Sequence, residues 1–538
     1  MMDATLAKVM PRDLVGRVWQ RDHTVWKPDP KEISDRLGWL DVTDAMRPQV
    51  PALQTLAKDV RSDGVRHVVL LGMGGSSLGT EVIRQTFGSA PGFPQLLVLD
   101  STIPSAVQAV TEETDSGKTL FIVSSKSGTT TEPLAFYSYF RSLVQKAVGK
   151  NKAGRHFIAI TDPRTSLEKL AREHGFRQVF PNPPDIGGRY SVLSYFGLVP
   201  AALVGIDIPR LLDSADSMRE QCASHVPSHD NPGARLGATM SALALQGRDK
   251  LTLVTSPSIS SFGLWVEQLI AESTGKEGKG IVPVAGEPLV DPASYGDDRL
   301  FMYLRLDGDD NAITDAAIAA IESSGQPVVR LELRDIYDIG AEFFRWEFAT
   351  AVAGAVLGIN PFDQPNVQQA KDETAQALQK HRTSGRLPWV ETDRSLANLL
   401  SKANTGDYLA IMAYVRQTPE TDWALEDLRR RVMEHHHIAT TLGYGPRFLH
   451  STGQVHKGGP DSGLFLQITL DHQKDIPVPG EAYTFGVLAE AQALGDLKVL
   501  QALGKRVSRI RLPSEDEAEI MRLTTDMGAA VSEKGTLR

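Results

Sequence analysis

The sequence is poor in cysteine, because Cys222 is the only one in 538 residues. One cysteine cannot form a disulfide within the chain, so we expect the protein to work in a reducing compartment, the cytoplasm. The first residues contain no apolar run flanked by a basic stretch and a cleavage site, which argues against a secretory signal. The longest uncharged stretch, 190–206, is slightly short for a membrane span and contains tyrosine, serine and proline. We therefore predict a buried helix there and no membrane segment.

The sequence also lacks an excess of basic residues, since its formal net charge is −9. A chain of this charge is not expected to bind nucleic acid by overall electrostatic attraction. A small anionic substrate would therefore need a local positive site. Apolar residues make up 41% of the chain, which is ordinary for a globular protein with a large buried core.

The most regular feature of the chain is an alternation of short apolar runs with helical patterns. The clearest runs are HVVLLG (67–72), QLLVLD (95–100), TLFIVSS (119–125), HFIAIT (156–161) and LTLVTS (251–256). Strands separated by helices predict an α/β fold, with parallel sheets covered by helices on both faces. A polar, turn-prone linker lies near 381–391. We predict a helical lead-in, a first α/β domain with a helical extension, a second α/β domain, a C-terminal α/β unit, and an exposed helix with a tail, at 1–60, 61–247, 248–380, 392–513 and 514–538.

The segment GMGGSSLG (72–79) directly follows a predicted strand and opens a helix. Glycines let the backbone approach an anion and the helix N-terminus offers unpaired N–H groups, so Gly75 and Ser76 are candidates for phosphate binding. A dinucleotide-binding loop is a second interpretation, because Asp100 ends the next strand, where a ribose-binding carboxylate would lie. Ser77 stands where that motif has its third glycine, which favours the phosphate loop. A simple turn is the third interpretation.

A second loop at a predicted strand end, SSKSGTTTEP (124–133), is rich in hydroxyl groups. Such a cluster can hold a phosphate without a metal, using hydroxyls together with the N–H groups of the following helix. Thr131 and Glu132 also fit ordinary helix capping, but capping needs only one hydroxyl. The candidates for phosphate binding in this loop are Ser125, Ser127, Thr129 and Thr130.

Two further segments carry side chains suited to acid–base chemistry. Two glycines free the backbone just before Arg189, whose guanidinium could stabilise negative charge on a substrate oxygen. Glu272 ends the apolar helix WVEQLIAE, and Gln268 lies one turn earlier on the same face. A half-buried carboxylate at such a place can have a pKa raised towards neutrality, as a general base requires. A surface arginine and a solvated glutamate are the alternative interpretations.

The segment NPFDQPNVQQAK (360–371) places Gln364 and Lys371 near the start of another predicted helix. A cation near a helix N-terminus interacts unfavourably with the helix dipole. That mild conflict makes Lys371 a candidate for a functional residue.

These five segments, in this order, resemble the motifs of the glucose-6-phosphate isomerase family. The matching pieces are GMGGSSLG, SKSGTT, GGRYS, ESTGK and QPNVQQAK, and they lie within roughly residues 60–380. They are also similar to the isomerase half of transaldolase/phosphoglucose-isomerase fusion proteins. The resemblance implies two doubly wound parallel-sheet sugar-isomerase (SIS) domains, here followed by the C-terminal α/β unit. It further implies a small phosphosugar substrate, a homodimer, and neither a metal nor another cofactor.

The resemblance also implies how these residues share the interconversion of glucose 6-phosphate and fructose 6-phosphate. The hydroxyl-rich loop and Ser76, with Lys126 nearby, would hold the substrate phosphate. Glu272 would move a proton between C2 and C1, while Arg189 would stabilise the cis-enediolate oxygen. Lys371, together with a histidine, would help to open the sugar ring. The side chains that would orient substrate hydroxyls are Gln268 and Gln364.

The sequence departs from the family pattern in its ring-opening histidine. The family has this histidine between the glutamate and the lysine, but no histidine lies between Glu272 and Lys371, and Glu342 stands near the expected place. The C-terminal unit offers His450 and His456 in a glycine-rich segment. We expect this unit to fold over the active site and to donate one of them, with His456 as the catalytic candidate. A purely structural loop is the alternative.

Three other functions fit parts of the pattern. A dual glucose/mannose 6-phosphate isomerase would use the same motifs. A non-catalytic phosphosugar sensor would keep the serine loops but would need neither Glu272 nor Lys371. A nicotinamide-dependent enzyme is disfavoured by Ser77.

Overall fold

The structure is a computed structural model that describes residue 10 and residues 13–514. Among the described residues, three α-helices precede the first sheet: α1 (Leu14–Trp19), α2 (Val42–Met46) and α3 (Val50–Ser62). This lead-in packs on the body of the protein, since Trp39 is fully buried and Trp26 Nε1 donates to the backbone oxygen of Ala351 at 2.7 Å. The predicted exposed helix with a tail, 514–538, lies outside the described residues apart from Ser514.

The first sheet has five parallel strands in the order β2-β1-β3-β4-β5. Its strands are β1 (His67–Leu71), β2 (Gln95–Leu99), β3 (Thr119–Ser124), β4 (Phe157–Thr161) and β5 (Gln178–Pro181). The helices between them are α4 (Leu78–Phe87), α5 (Pro104–Glu113), α6 (Thr131–Val148) and α7 (Ser166–Glu173). All residues of β3 and β4 are buried, which explains their continuous apolar runs. The chain leaves β1 and β3 in opposite directions, so a ligand crevice is expected at their carboxyl ends.

Three helices connect the first sheet to the second: α8 (Tyr195–Leu203), α9 (Ile208–Gln221) and α10 (Pro232–Ala244). The buried helix predicted within 190–206 is α8, which is buried from Phe196 to Leu203. Across the described residues, no helix combines the length and the apolar character that a bilayer span requires.

The second sheet has four parallel strands in the order β7-β6-β8-β9. Its strands are β6 (Lys250–Thr255), β7 (Val282–Ala285), β8 (Arg299–Leu306) and β9 (Val328–Leu333). Its helices are α11 (Phe262–Thr274), α12 (Ala312–Ser323), α13 (Ile339–Leu357) and α14 (Pro365–Ser384). Helix α13 is buried along most of its length, and α14 extends into the segment predicted as a linker.

The third sheet repeats this topology, in the order β11-β10-β12-β13. Its strands are β10 (Tyr408–Ala413), β11 (Ala439–Tyr444), β12 (Gly463–Leu470) and β13 (Arg506–Leu512). Its helices are α15 (Leu396–Leu400), α16 (Pro419–His436), α17 (Gly453–Gly458) and α18 (Phe485–Ala502). Every strand pair within the three sheets is parallel, which confirms the predicted α/β class.

The connection from β11 to β12 packs tightly against the turn that follows α11, before β7 of the second sheet. A Cβ atom on Gly275 would lie 2.4 Å from the Cα of Val455, so only glycine allows this approach. Gln454 Nε2 donates to the Gly275 oxygen at 2.9 Å, and Gly278 N donates to the Gly458 oxygen at 3.0 Å. The third sheet therefore belongs to the surroundings of the ligand crevice.

Candidate active site

A cleft of about 360 Å³ opens at the carboxyl ends of β1 and β3, where the order of the first sheet reverses. Its volume is within the range of small-molecule sites. The structure brings most of the sequence-predicted site residues to its wall: Gly75, Ser76, Lys126, Ser127, Thr130, Arg189, Gln268, Glu272, Gln364 and Lys371. In the same loop, Ser125 is buried and Thr129 lines a neighbouring cavity.

The hydroxyl-rich loop is organised by its own side chains. Ser125 Oγ pairs with Thr130 Oγ1 at 2.9 Å, and Ser127 Oγ pairs with Thr129 Oγ1 at 3.0 Å. Gly128 has a φ of +68°, and a Cβ atom there would lie 2.7 Å from Thr165, which accounts for a glycine in the loop. Helix α6 begins directly after Thr130, so its first N–H groups add to the hydroxyls as donors for an anion.

The Lys126 ammonium group is a cation that already has partners within the protein. Its ammonium group forms an ion pair with Asp162 and donates to the Pro184 oxygen at 3.0 Å. Burial raises the pKa of Asp162, against the effect of this ion pair. Lys126 therefore borders the cleft from a fixed position at the side of the hydroxyl-rich loop.

The glycine–serine loop and the turn that carries Arg189 touch each other through glycines. A Cβ atom on Gly75 would lie 2.1 Å from the Gly188 oxygen, so the two backbones approach more closely than any side chain would permit. This contact places Arg189 at the floor of the cleft, where its side chain is buried. The glycines of both motifs are thus needed to build the cleft as well as to expose backbone N–H groups.

Glu272 lies at the end of α11 and is only 3% exposed. Arg189 Nη1 is 3.4 Å from Glu272 Oε2, and Gln268 Nε2 donates to the same oxygen at 3.3 Å. Burial raises the pKa of Glu272, and the positive charge of Arg189 opposes part of that rise. Glu272 is therefore a dry carboxylate that can accept a proton, next to a fixed cation.

Arg189 is held by four acceptors on two elements. Its Nε donates to Ser273 Oγ at 2.8 Å, beside the contact with Glu272. Its Nη2 donates to the backbone oxygens of Pro361 and Asp363, at 2.7 Å and 2.9 Å. A guanidinium fixed in this way needs little reorganisation when negative charge develops beside it.

His450 is the histidine that the third sheet supplies to the cleft. Its Nε2 lies 2.8 Å from Glu132 Oε1, and Gln492 Nε2 donates to that carboxylate oxygen at 2.6 Å. The backbone oxygen of His450 accepts from Gln268 Nε2 at 2.9 Å, which joins it to the helix of Glu272. The imidazole is therefore oriented by a buried carboxylate and faces the cleft beside Lys371.

Glu132 itself was expected only to cap its helix. Burial would raise the pKa of Glu132, but the charge and hydrogen bond of His450 and the charge of Lys371 outweigh burial and hold the pKa below its usual value. Glu132 follows Thr130 by two residues at the end of the hydroxyl-rich loop, which is a local signal. Its partner is 318 residues away in the chain, and no local signal could pair them.

His456, the histidine chosen from the sequence, does not reach the cleft. Its ring lies among the rings of Phe448 and Phe465, at centroid distances of 6.1 Å and 5.2 Å. Burial lowers its pKa to about 3, so it stays neutral in the core. Glu342, which stands near the place of the family histidine, is buried in α13 and pairs with Arg345 at 3.2 Å. Helix α17 turns His456 towards β12, whereas His450 lies before this helix and faces the cleft. This is the physical reason why His450, and not His456, lines the cleft.

Comparison with known proteins identifies the family. The family model described as phosphoglucose isomerase matches residues 38–282. A glucose-6-phosphate isomerase of Parabacteroides distasonis is 30% identical over 399 residues, which cover 64% of this chain and 88% of that protein. One from Staphylococcus saprophyticus is 29% identical over 391 residues, with the same coverage.

Solved structures show the same fold. A glucose-6-phosphate isomerase from Chlamydia trachomatis superposes with a TM-score of 0.59, at 19% identity, over 70% of this chain and 84% of that one. A hypothetical protein from Thermus thermophilus gives a TM-score of 0.57, at 24% identity, over 71% and 95%. At these identities the likeness supports the sugar-isomerase fold alone. The relative that is 30% identical, of which this chain covers 88%, shows with the agreeing family model that this chain belongs to the phosphoglucose isomerase family.

Proposed function

We propose that the cleft interconverts glucose 6-phosphate and fructose 6-phosphate by proton transfer through a cis-enediolate. The observation that carries the proposal is the buried Glu272 carboxylate beside the Arg189 guanidinium, in a chain whose curated relatives are named glucose-6-phosphate isomerase. The reaction class is an aldose–ketose isomerisation. A non-catalytic sensor would have no need of a dry base and a fixed cation in contact.

The substrate phosphate binds, in this proposal, at the hydroxyl-rich loop and the start of α6. Ser76, Ser127 and Thr130 offer hydroxyls at the cleft wall. Ser125 and Thr129 hydrogen-bond to Thr130 and Ser127 and so orient those two hydroxyls. The phosphate is remote from the carbons that react. Its binding energy therefore serves to position C1 and C2 against Glu272.

The proton transfer needs one base. The Glu272 carboxylate removes the proton from C2 of the open-chain aldose, the electron pair forms the C1–C2 double bond, and the C1 carbonyl oxygen becomes the enediolate oxygen beside Arg189. The proton of the O2 hydroxyl moves to O1, and Glu272 returns its proton to C1 while the C2–O2 bond becomes the ketone carbonyl. Gln268 and Gln364 line the cleft, and Gln268 Oε1, which has no hydrogen-bond partner among the described residues, can accept from a substrate hydroxyl. A base and a fixed positive charge in a dry site suffice for this step.

Ring opening is assigned to His450 and Lys371. Opening of the cyclic sugar requires a proton to move from the anomeric hydroxyl and another to reach the ring oxygen. His450 is held by Glu132 at the edge of the cleft and can exchange a proton, with Lys371 as a cation on the same wall. His456 has no part in this proposal. The location in the cytoplasm, the homodimer and the segment boundaries stay predictions from the sequence.

The test compares Glu272→Gln with Glu267→Gln in a coupled assay of fructose 6-phosphate conversion, run with a chelator. Glu267 is a matched control, since it is on the same helix, is buried, and has its pKa raised by burial to about 7, but it does not line the cleft. We expect turnover by the wild type, a loss of roughly 10²–10⁴-fold in Glu272→Gln, and near-normal turnover in Glu267→Gln. Equal activities of Glu272→Gln and the wild type would contradict the proposal.

A further inference from the structure

A second buried cation, Lys276, lies next to the Arg189–Glu272 pair. It follows Glu272 by one helical turn, in the turn after α11, and its side chain is 3% exposed. Its ammonium group donates to the Asn360 oxygen at 2.5 Å and forms an ion pair with Asp363 Oδ1 at 2.6 Å. It does not border the cleft, so it cannot touch the substrate.

The segment 360–363 is held from two sides by two cations. Lys276 binds it at Asn360 and at the Asp363 side chain, while Arg189 binds the backbone oxygens of Pro361 and Asp363. Movement of this segment would therefore remove two of the acceptors that fix the guanidinium. The same segment leads directly into Gln364 and α14, which carries Lys371.

We propose that Lys276 is a positioning residue, whose charged ammonium group fixes segment 360–363 and thereby holds Arg189 against Glu272. This inference rests on the proposed function, because it gives Lys276 a role in the same proton transfer. Its action is indirect: it reaches the substrate through Arg189, and its positive charge also favours the ionised form of Glu272.

The charge state of Lys276 gives this role a pH signature. Burial lowers the pKa of Lys276 to about 7, and the neighbouring charge of Arg189 lowers it too, while Asp363 and Glu272 act to raise it. These are the charged groups that face the ammonium group. As pH rises above neutrality, Lys276 loses its proton and Asp363 loses its ionic partner. The rate should therefore fall on the alkaline side.

Asp363→Asn separates this role from simple packing. The substitution keeps the backbone oxygen that Arg189 uses and keeps the size of the side chain, but it removes the charge that raises the pKa of Lys276. The alkaline fall in kcat/KM should then begin at a lower pH than in the wild type. A side chain that only filled space would leave the pH profile unchanged.

The experiment measures kcat/KM against pH for the wild type, Lys276→Met, Asp363→Asn and Lys279→Met. Lys279 is the matched control, since it lies in the same turn and donates to the Leu357 oxygen at 3.0 Å but does not contact segment 360–363. We expect a loss of roughly 10²-fold in Lys276→Met, as misplacement of a catalytic group by about 1 Å can produce. Lys279→Met should stay near the wild type.

Two results would overturn the inference: equal rates in Lys276→Met and Lys279→Met, or an alkaline limb in Asp363→Asn that does not move. If Lys276→Met fails to fold, the Asp363→Asn profile decides alone. If Glu272→Gln loses activity but Lys276→Met does not, the proposed function stands and only the role of Lys276 is contradicted. Retained activity in Glu272→Gln removes the proposed function itself.

Discussion

The glutamate helix α11 (Phe262–Thr274) and the histidine turn (Arg447–His450) meet at the cleft, but they hold their functional side chains differently. Glu272 is 3% exposed and lies on a helix that is buried along most of its length. His450 has a side chain that is 15% exposed, and it projects from a single helical turn between two strands. The base is therefore dry and fixed by packing, whereas the histidine is nearer to solvent and fixed by hydrogen bonds.

This difference matches the chemistry proposed for the two walls of the cleft, the one that carries Glu272 and the one that carries His450. A carboxylate that removes a proton from carbon needs a raised pKa, which burial supplies. A group that opens a sugar ring must exchange protons and must be reached by the cyclic substrate, so a place at the edge suits it. Gln268 links the two walls, since its amide donates both to Glu272 and to the backbone of His450.

The stability of the protein should depend strongly on a buried ion pair between α17, which follows the histidine turn, and α18. Lys457 and Asp496 lie 2.5 Å apart, with side chains 2% and 0% exposed. Asp496→Asn would leave the Lys457 charge buried and unpaired, so we expect the free energy of unfolding to fall by about 3–5 kcal/mol. Urea unfolding checks this, with Asp461→Asn as control, because the Asp461 side chain, which pairs with Lys505, is 82% exposed. Equal effects of the two substitutions would show that the burial of the pair is unimportant.

Removal of the histidine should separate the two chemical steps. We expect His450→Gln to lower kcat/KM for cyclic glucose 6-phosphate by roughly 10²-fold, as loss of a general acid–base group does. The loss should be much smaller for a 4,5-dideoxy analogue, which has no hydroxyl that can close a five- or six-membered ring. Glu272→Gln should impair both substrates alike. Equal losses on both substrates in His450→Gln would place the histidine in the proton transfer and not in ring opening.

Removal of Gln268, which links the two walls of the cleft, should have a smaller effect, visible in the pH dependence of kcat/KM. The hydrogen bond from Gln268 lowers the pKa of Glu272. In Gln268→Leu the pKa of Glu272 should rise further, so the acid limb of kcat/KM should move to higher pH, because a protonated Glu272 cannot accept a proton. A hydrogen bond of this kind contributes about 0.5–1.5 kcal/mol. If the acid limb does not move, Gln268 does not influence the pKa of Glu272.

The smallest effect is expected at the buried histidine. His456 is neutral in the core, among Phe448 and Phe465, and it does not border the cleft. We expect His456→Leu to leave kcat/KM within twofold of the wild type. A loss as large as that of His450→Gln would show that the two histidines have been assigned in the wrong order.

The parts of the site that the sequence could predict are those that are local in the chain. Gln268 and Glu272 lie one helical turn apart, and the hydroxyls of residues 125–130 share one loop, so their spacing alone placed them together. The pairing of Glu132 with His450 joins residues 318 positions apart and depends on how the third sheet packs on the first two. Whether His450 or His456 faces the cleft depends on the direction of α17, which residue spacing does not reveal. The role of Lys276 likewise depends on burial by a segment more than eighty residues away.

A double-mutant cycle on Glu132 and His450 tests most directly whether the third sheet completes the active site. The rates to compare are kcat/KM for cyclic glucose 6-phosphate in the wild type, Glu132→Gln, His450→Gln and the double variant. If the carboxylate acts by orienting the imidazole, the double variant should be no slower than His450→Gln alone. Losses that multiply in the double variant would contradict the account, because they would mean that Glu132 and His450 act independently.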